Sequence, residues 1–82
     1  MEYIFKVLIF EGLHARPCAK LVSILQGSEP IKITCNSHTI NNLSILELLL
    51  LKAAYGSEIT IACEQPLLDS DLTELTQLFG GK

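Results

Sequence analysis

The sequence is short of basic side chains. Its 82 residues include six lysines and arginines against nine aspartates and glutamates, which gives a net charge of −3. The six are spread from Lys6 to Lys82 and form no basic run. Because a nucleic-acid backbone is neutralised by clustered lysine and arginine, this scarcity excludes nucleic acid as an expected partner.

Cysteine is also scarce, and its three copies follow no pairing motif. Cys18, Cys35 and Cys63 are an odd number without CxxC spacing. This excludes a disulfide framework and a dithiol redox motif, so we expect reduced thiols in a cytoplasmic protein. A metal module is the rival interpretation, with His14 and Cys18 at i, i+4 spacing and His38, Cys35 and Cys63 elsewhere in the chain, but no closed four-ligand spacing occurs. We therefore expect no metal and no cofactor, and we interpret the cysteines as small buried hydrophobes.

The sequence has no apolar run long enough to cross a membrane. The run over 44–54 is well short of the about 20 residues that span a bilayer. The first ten residues lack the basic start and small-residue cleavage site of a signal peptide. The chain does have 49 % hydrophobic and 18 % charged residues, the composition of a folded globular protein. We expect one small domain over residues 1–82 without membrane insertion.

Hydrophobic periodicity predicts seven elements in the order βαββαβα. The predicted strands are 2–10, 31–35, 38–41 and 57–63, the first two helices are 15–25 and 44–54, and the last helix carries a stripe of Leu68, Leu72, Leu75 and Phe79. The first strand is apolar on both faces, which indicates a central, well-covered position. The order favours a two-layer packing of one sheet against helices, and a ferredoxin-like strand order fits equally well.

The boundaries of the second helix are predicted from two local signals. Ser44 and Glu47 have the S-x-x-E spacing of a capping box, which predicts a helix start at Ser44. Gly56 is the expected C-terminal cap.

The second helix is apolar on nearly all sides. Because a short helix on a two-layer domain buries only one face, we assign Leu48 and Leu51 to the core. Ile45, Leu46 and Leu49 then stay exposed. Exposed apolar clusters usually mark partner surfaces, so we interpret these three residues, here called the apolar patch, as a candidate docking surface.

A histidine and an arginine stand where the first strand gives way to the first helix, in the stretch EGLHARPCAK at 11–20. A helix N-terminus offers free N–H groups and partial positive charge, which favour an anion and keep a nearby imidazole neutral. His14 is then a nitrogen nucleophile, and Arg16 supplies a guanidinium fork that fits phosphate oxygens. Together they form a candidate phosphoryl-accepting site. From spacing alone, a polar surface histidine beside a turn at Gly12 is the commoner explanation.

Two longer stretches carry a family resemblance: GLHARPCAKLV at 12–22 and NNLSILELLLLKAAYGSEITI at 41–61. They resemble the active-site and regulatory-serine regions of the HPr family, the phosphocarriers of the bacterial phosphoenolpyruvate-dependent sugar phosphotransferase system. The resemblance implies an α+β open-faced sandwich, with a four-stranded antiparallel sheet covered on one face by three helices. This expectation replaces the ferredoxin-like alternative.

The same resemblance implies a role for each site residue. His14 would take the phosphoryl group on Nδ1 from phospho-Enzyme I and pass it to an enzyme II A component, while Arg16 steadies the phosphate. Ser44 stands at the position that a serine kinase modifies in some bacteria, and the apolar patch stands where partners dock. Such a protein is a phosphocarrier with a transient phosphohistidine rather than a self-contained enzyme.

Three residues depart from the family pattern. Glu11 replaces a small neutral residue beside the active-site turn, and its carboxylate repels an incoming phosphate. Leu43 and Glu47 replace a lysine and a glycine around Ser44, which puts recognition by a serine kinase in doubt. These changes keep an alternative open: an HPr-like regulatory docking protein that binds partners without turnover of phosphate.

Overall fold

The computed structural model describes residues 1–9 and 15–80. Its elements follow the predicted order βαββαβα. They are β1 (Glu2–Lys6), α1 (Ala15–Leu25), β2 (Ile31–Cys35), β3 (His38–Ile40), α2 (Ile45–Leu50), β4 (Glu58–Cys63) and α3 (Asp69–Leu78). Within these residues, no helix is long and apolar enough to cross a membrane.

The four strands form one antiparallel sheet in the order β1-β4-β2-β3. The two longest ladders place Ile61 of β4 between Tyr3 of β1 and Ile33 of β2. The prediction that the first strand is central was wrong, since β1 is an edge strand that ends at Lys6 and leaves Ile4 exposed. Apolar residues on both faces of a strand do not encode its neighbours, because strand pairing depends on residues far away in the sequence.

One face of the sheet forms the core with the three helices. The alternating residues of β2 and β4 that point inward are buried: Ile31, Ile33, Cys35, Ile59, Ile61 and Cys63. They join buried residues from all three helices in one cluster. The predicted two-layer arrangement, with helices on a single face, is confirmed. It buries the apolar sides of the strands and helices against each other.

The other sheet face carries mostly polar side chains. In the cross-strand register, Ile4 stands beside Thr60, Thr60 beside Thr34, and Thr34 beside Thr39, so these four residues form a row across all four strands. The hydroxyls of Thr34 and Thr39 are hydrogen-bonded at 3.0 Å. This alternation of polar and apolar residues is typical of an antiparallel sheet with one solvated face.

The second helix is shorter than predicted. It starts after Ser44 as expected but ends at Leu50, and Lys52 has φ +53° in the left-handed region. Backbone bonds from Leu51 to Leu48 and from Lys52 to Leu49 tighten the last turn. Gly56 is therefore not the cap of this helix. The early end was hidden from sequence reasoning because a lysine rarely adopts this conformation.

The last helix starts later than its predicted apolar stripe. Leu68 is 68 % exposed and precedes the first helical residue, Asp69. Leu67 is buried in its place, and its N–H donates to the Tyr3 hydroxyl at 3.1 Å. The later part of the predicted stripe is confirmed, with Leu72 partly buried and Leu75 and Phe79 in the core.

Candidate functional site

The candidate site lies at the start of α1. His14, like Glu11 and Gly12, falls outside the residues that the structure describes; in the sequence it directly precedes Ala15, the first residue of α1. The first turn of the helix contains no acidic residue, and Pro17 has no N–H to leave unpaired. The remaining free N–H groups of this turn and the helix dipole make the position favourable for an anion.

Arg16 is exposed because the opposite side of α1 is buried. Cys18, Leu21 and Leu25 have no solvent-accessible surface, and their spacing gives a single apolar stripe. Arg16 and Lys20 both lie on the exposed side, four residues apart and therefore one above the other along the helix. The burial of the stripe fixes the rotation of α1, so that two positive charges face solvent near its N-terminus.

The chain that leads to the site from β1 is held by backbone hydrogen bonds on two sides. The Val7 N–H donates to the Ser57 carbonyl at 2.8 Å, and the Gly56 N–H donates to the Val7 carbonyl at 2.7 Å. The Leu8 N–H donates to the Phe79 carbonyl at 2.7 Å. The loop before β4 and the residue after α3 therefore hold the chain at Val7 and Leu8.

The apolar patch on α2 has the predicted exposure. Ile45 and Leu49 are partly exposed and Leu46 is 72 % exposed. The structure adds Leu50, which is 59 % exposed. Sequence reasoning missed Leu50, although it follows Leu46 by four residues and so shares its side of the helix.

The inward side of α2 is also as predicted. Leu48 and Leu51 are buried, and α2 packs against α1. The apolar patch therefore lies on a helix held directly against the one that carries Arg16.

Ser44 precedes α2 without capping it through its side chain. Its backbone is extended, with φ −136°, and its carbonyl accepts the Leu48 N–H at 2.9 Å. The hydroxyl makes no capping hydrogen bond, so the predicted capping box with Glu47 was wrong. The spacing correctly marked the helix start, but a hydroxyl can rotate away from the helix, which the spacing does not control.

The three cysteines are free and buried, as predicted. Burial raises the pKa of the Cys18 thiol. It also raises the pKa of the Cys35 thiol, and a hydrogen bond with Ser57 partly opposes that effect. Protonated buried thiols pack as small hydrophobic groups. In the described parts of the chain, no three His, Cys, Asp or Glu side chains are grouped so as to hold a metal ion.

The protein is an open-faced sandwich, and a His-x-Arg sequence leads into its first helix. Residues 2–80 match the family model PTS-HPr, described as the PTS HPr component phosphorylation site. The chain belongs to this family of phosphotransferase-system phosphocarriers.

Curated relatives match nearly the whole chain. The phosphocarrier protein HPr of Chlamydia trachomatis serovar D is 26 % identical over 80 residues, which cover 96 % of this chain and 73 % of the relative. The HPr of Chlamydia muridarum is 29 % identical over 80 residues, covering 96 % and 77 %. The low identity marks a divergent member.

Solved structures match the fold over the whole domain. A Mycoplasma histidine-containing phosphocarrier protein has a TM-score of 0.76 at 25 % identity, covering 95 % of this chain and 90 % of that one. HPr from Bacillus anthracis strain Ames has a TM-score of 0.74 at 29 % identity, covering 95 % and 94 %. An HPr structure from Thermoanaerobacter tengcongensis, 22 % identical with a TM-score of 0.76, covers 100 % and 98 % and supports the fold.

Proposed function

We propose that this chain accepts a phosphoryl group from phospho-Enzyme I on Nδ1 of His14 and donates it to an enzyme II A component. The observation that carries the proposal is the family match over residues 2–80, together with a histidine that directly precedes α1 in the sequence and an arginine in the first turn of that helix. A cytoplasmic location is part of this proposal, because phosphoenolpyruvate-driven transfer of this kind takes place there.

The proposed step is a displacement at phosphorus. The lone pair of Nδ1 of His14 attacks phosphorus and forms a P–N bond. The bond from phosphorus to the donor group of phospho-Enzyme I breaks, and its electron pair leaves with that donor. In the onward step the enzyme II A acceptor attacks, and the P–N bond breaks with its electron pair returning to His14. A neutral imidazole is needed at the start, which the positive end of the α1 dipole favours.

Arg16 is proposed to stabilise the transferring phosphate. Its guanidinium is a positive group that presents paired donors matching phosphate oxygens. Its exposure in the first turn of α1 leaves it available to the phosphate in both transfers. Electrostatic stabilisation of this kind is usually the largest part of catalysis at phosphorus.

The apolar patch is proposed as the docking surface for both partners. Ile45, Leu46 and Leu49 are exposed on a helix that packs against α1, the helix whose first turn carries Arg16. Leu50 enlarges this surface. The patch is small, since α2 has six residues, and small interfaces suit a carrier that must release each partner quickly.

Ser44 is proposed as a regulatory phosphorylation site for a serine kinase. Its hydroxyl is not engaged in a cap and the residue is partly exposed, so both features favour modification. A phosphate there would add negative charge next to Ile45 and so weaken docking of an apolar partner surface. Leu43 and Glu47 argue against phosphorylation of Ser44, because neither offers a positive charge to the kinase or to the phosphate.

The test is intact-mass spectrometry after incubation with phosphoenolpyruvate and Enzyme I. One added phosphoryl group, lost in acid and absent from His14→Ala, is the expected result. No added mass, with the same Enzyme I active on another HPr, would contradict the carrier proposal and favour the regulatory docking protein. If His14→Ala binds Enzyme I as tightly as the unmodified chain does, docking does not depend on phosphoryl transfer.

A further inference from the structure

Strand β1 has one edge without a neighbouring strand. In the part of the chain that the structure describes, β1 pairs with β4 alone and lies at the end of the sheet. Its residues Glu2, Ile4 and Lys6 are exposed, and the side chain of Ile4 is 65 % exposed. A strand edge of this kind is a template on which another strand can pair.

The backbone groups of β1 divide between its two edges by residue number. The Cys63 N–H donates to the Met1 carbonyl at 2.8 Å, and the Val7 N–H donates to the Ser57 carbonyl at 2.8 Å. These bonds join the two ends of β1 to β4 and to the loop before it. Because hydrogen-bonded positions alternate along an antiparallel strand, the odd-numbered residues of β1 direct their N–H and carbonyl groups toward β4.

The even-numbered residues therefore supply the groups of the outer edge. Glu2, Ile4 and Lys6 each direct an N–H and a carbonyl away from β4. The next even-numbered residue, Leu8, donates its N–H to the Phe79 carbonyl at 2.7 Å. The edge that can accept another strand thus covers β1 and ends at Lys6.

We propose that β1 pairs with β1 of a second copy of this chain, antiparallel and about a two-fold axis at Ile4. Ile4 then lies opposite Ile4 of the second copy, and Glu2 lies opposite Lys6 of the second copy. Each pair exchanges two backbone hydrogen bonds. The two four-stranded sheets join into one, and the interface is self-complementary, as a two-fold dimer requires.

Charge complementarity favours a second copy in this register. Glu2 meets Lys6 once on each side of the axis, and opposite charges directly across two strands are stabilising. A register shifted one way places Glu2 opposite Leu8, whose N–H is already bonded to Phe79. A register shifted the other way leaves Lys6 opposite no residue of β1. Either shift loses both ion pairs.

The sheet face toward the helices adds an aromatic pair. In the proposed register Tyr3 lies opposite Phe5 of the second copy, at a position without backbone bonds, where side chains come closer together. The Tyr3 hydroxyl accepts the Leu67 N–H at 3.1 Å, and the Phe5 ring lies 5.4 Å from that of Phe79, centroid to centroid. Because both side chains are already ordered in one copy, their pairing costs little additional entropy.

The proposed dimer leaves the apolar patch open. Ile40 of β3 and Leu50 of α2 line one groove, so α2 lies beside β3, at the opposite end of the sheet from β1. The inference is therefore independent of the proposed function. Since β1 has only five residues, the interface is small, and we expect a weak dimer with a Kd of about 0.1–1 mM.

The experiment is sedimentation equilibrium of the chain alone, at concentrations up to about 2 mM in about 0.15 M salt. Lys6→Glu should raise Kd about 10-fold, because both ion pairs become repulsive. Lys32→Glu is the matched control: it changes the net charge equally, but Lys32 is exposed on β2, inside the sheet. It should leave Kd within about twofold. Glu2→Lys combined with Lys6→Glu should return Kd to within about threefold of the unmodified value.

Three results would overturn the inference. They are the absence of any dimer in the unmodified chain, equal Kd values for Lys6→Glu and Lys32→Glu, and a double variant that associates no better than Lys6→Glu. Neither Enzyme I nor phosphoenolpyruvate is present, so these results do not depend on whether His14 carries phosphate.

Amide hydrogen exchange identifies the pairing strand. The Ile4 N–H should exchange more slowly as the concentration of the chain rises, because a carbonyl of the second copy accepts it in the dimer. The Tyr3 N–H faces β4 in a single copy, so its exchange should not depend on concentration. Equal concentration dependence at the two positions would contradict pairing through β1.

Discussion

Replacing Leu46 with serine tests the docking surface most directly. Leu46 is 72 % exposed, so the change removes apolar area that only a partner would cover. Complete burial of a leucine side chain contributes about 1.5–3 kcal/mol. The exposed fraction of Leu46 therefore corresponds to about 1–2 kcal/mol of binding free energy, or about a 5- to 30-fold rise in KM for phospho-Enzyme I. The free energy of unfolding should change by no more than about 0.5 kcal/mol, because the residue is on the surface.

The assay is steady-state phosphorylation of the chain, with its concentration varied at fixed phospho-Enzyme I. Leu68→Ser is the matched control, since Leu68 is 68 % exposed but lies at the start of α3. That end is about 15 Å, the length of a ten-residue helix, from the end that meets Leu8. Leu46→Ser should raise KM with kcat unchanged, while Leu68→Ser leaves both unchanged. Equal KM values for the two variants would refute docking at the apolar patch.

Three further changes have definite expected outcomes. Arg16→Ala should slow phosphorylation of His14 by about 10- to 100-fold. Lys20→Ala, one turn along α1, should have little effect in the same assay. Equal effects of the two changes would contradict a specific role for Arg16. Ser44→Ala should lower the free energy of unfolding in urea by less than about 0.5 kcal/mol, against about 1 kcal/mol for a true cap, because its hydroxyl makes no cap bond. Burial raises the pKa of Cys18, so the folded chain keeps the thiol proton to a higher pH than the unfolded chain does. Its contribution to stability is therefore complete below the unfolded-state value of about 8.5 and is lost as pH rises through the folded pKa. Cys18→Ala should show a smaller loss of stability between about pH 7 and pH 10 than the unmodified chain, and an equal loss would contradict this.

Local patterns predicted the elements well where burial has a regular period. The α1 stripe of Cys18, Leu21 and Leu25 and the alternation in β2 and β4 are each repeated within one element, so a window of the sequence contains the whole signal. The start of α2 after Ser44 was predicted for the same reason. The candidate site was also local, because histidine and arginine stand two residues apart at a helix start.

Features that depend on distant residues were not predictable. The edge position of β1 follows from its pairing with β4, which is more than fifty residues away in the sequence. Leu67 is buried rather than Leu68, and the Leu67 N–H donates to the hydroxyl of Tyr3, which lies far away in the sequence. The early end of α2 depends on a lysine, Lys52, in a conformation that sequence rules assign to glycine. The exposure of Leu50 could be predicted only by knowing which side of α2 faces away from the core.

The row of Ile4, Thr60, Thr34 and Thr39 across the four strands has a practical consequence. It lies on the sheet face opposite the helices, and the three native thiols are buried. A cysteine introduced at Thr39, which is exposed on edge strand β3, would be the one thiol readily open to a reagent. A fluorophore attached there would report from the sheet side, opposite the proposed docking surface on α2. Arrival and departure of each proposed partner could then be followed without a label in either interface.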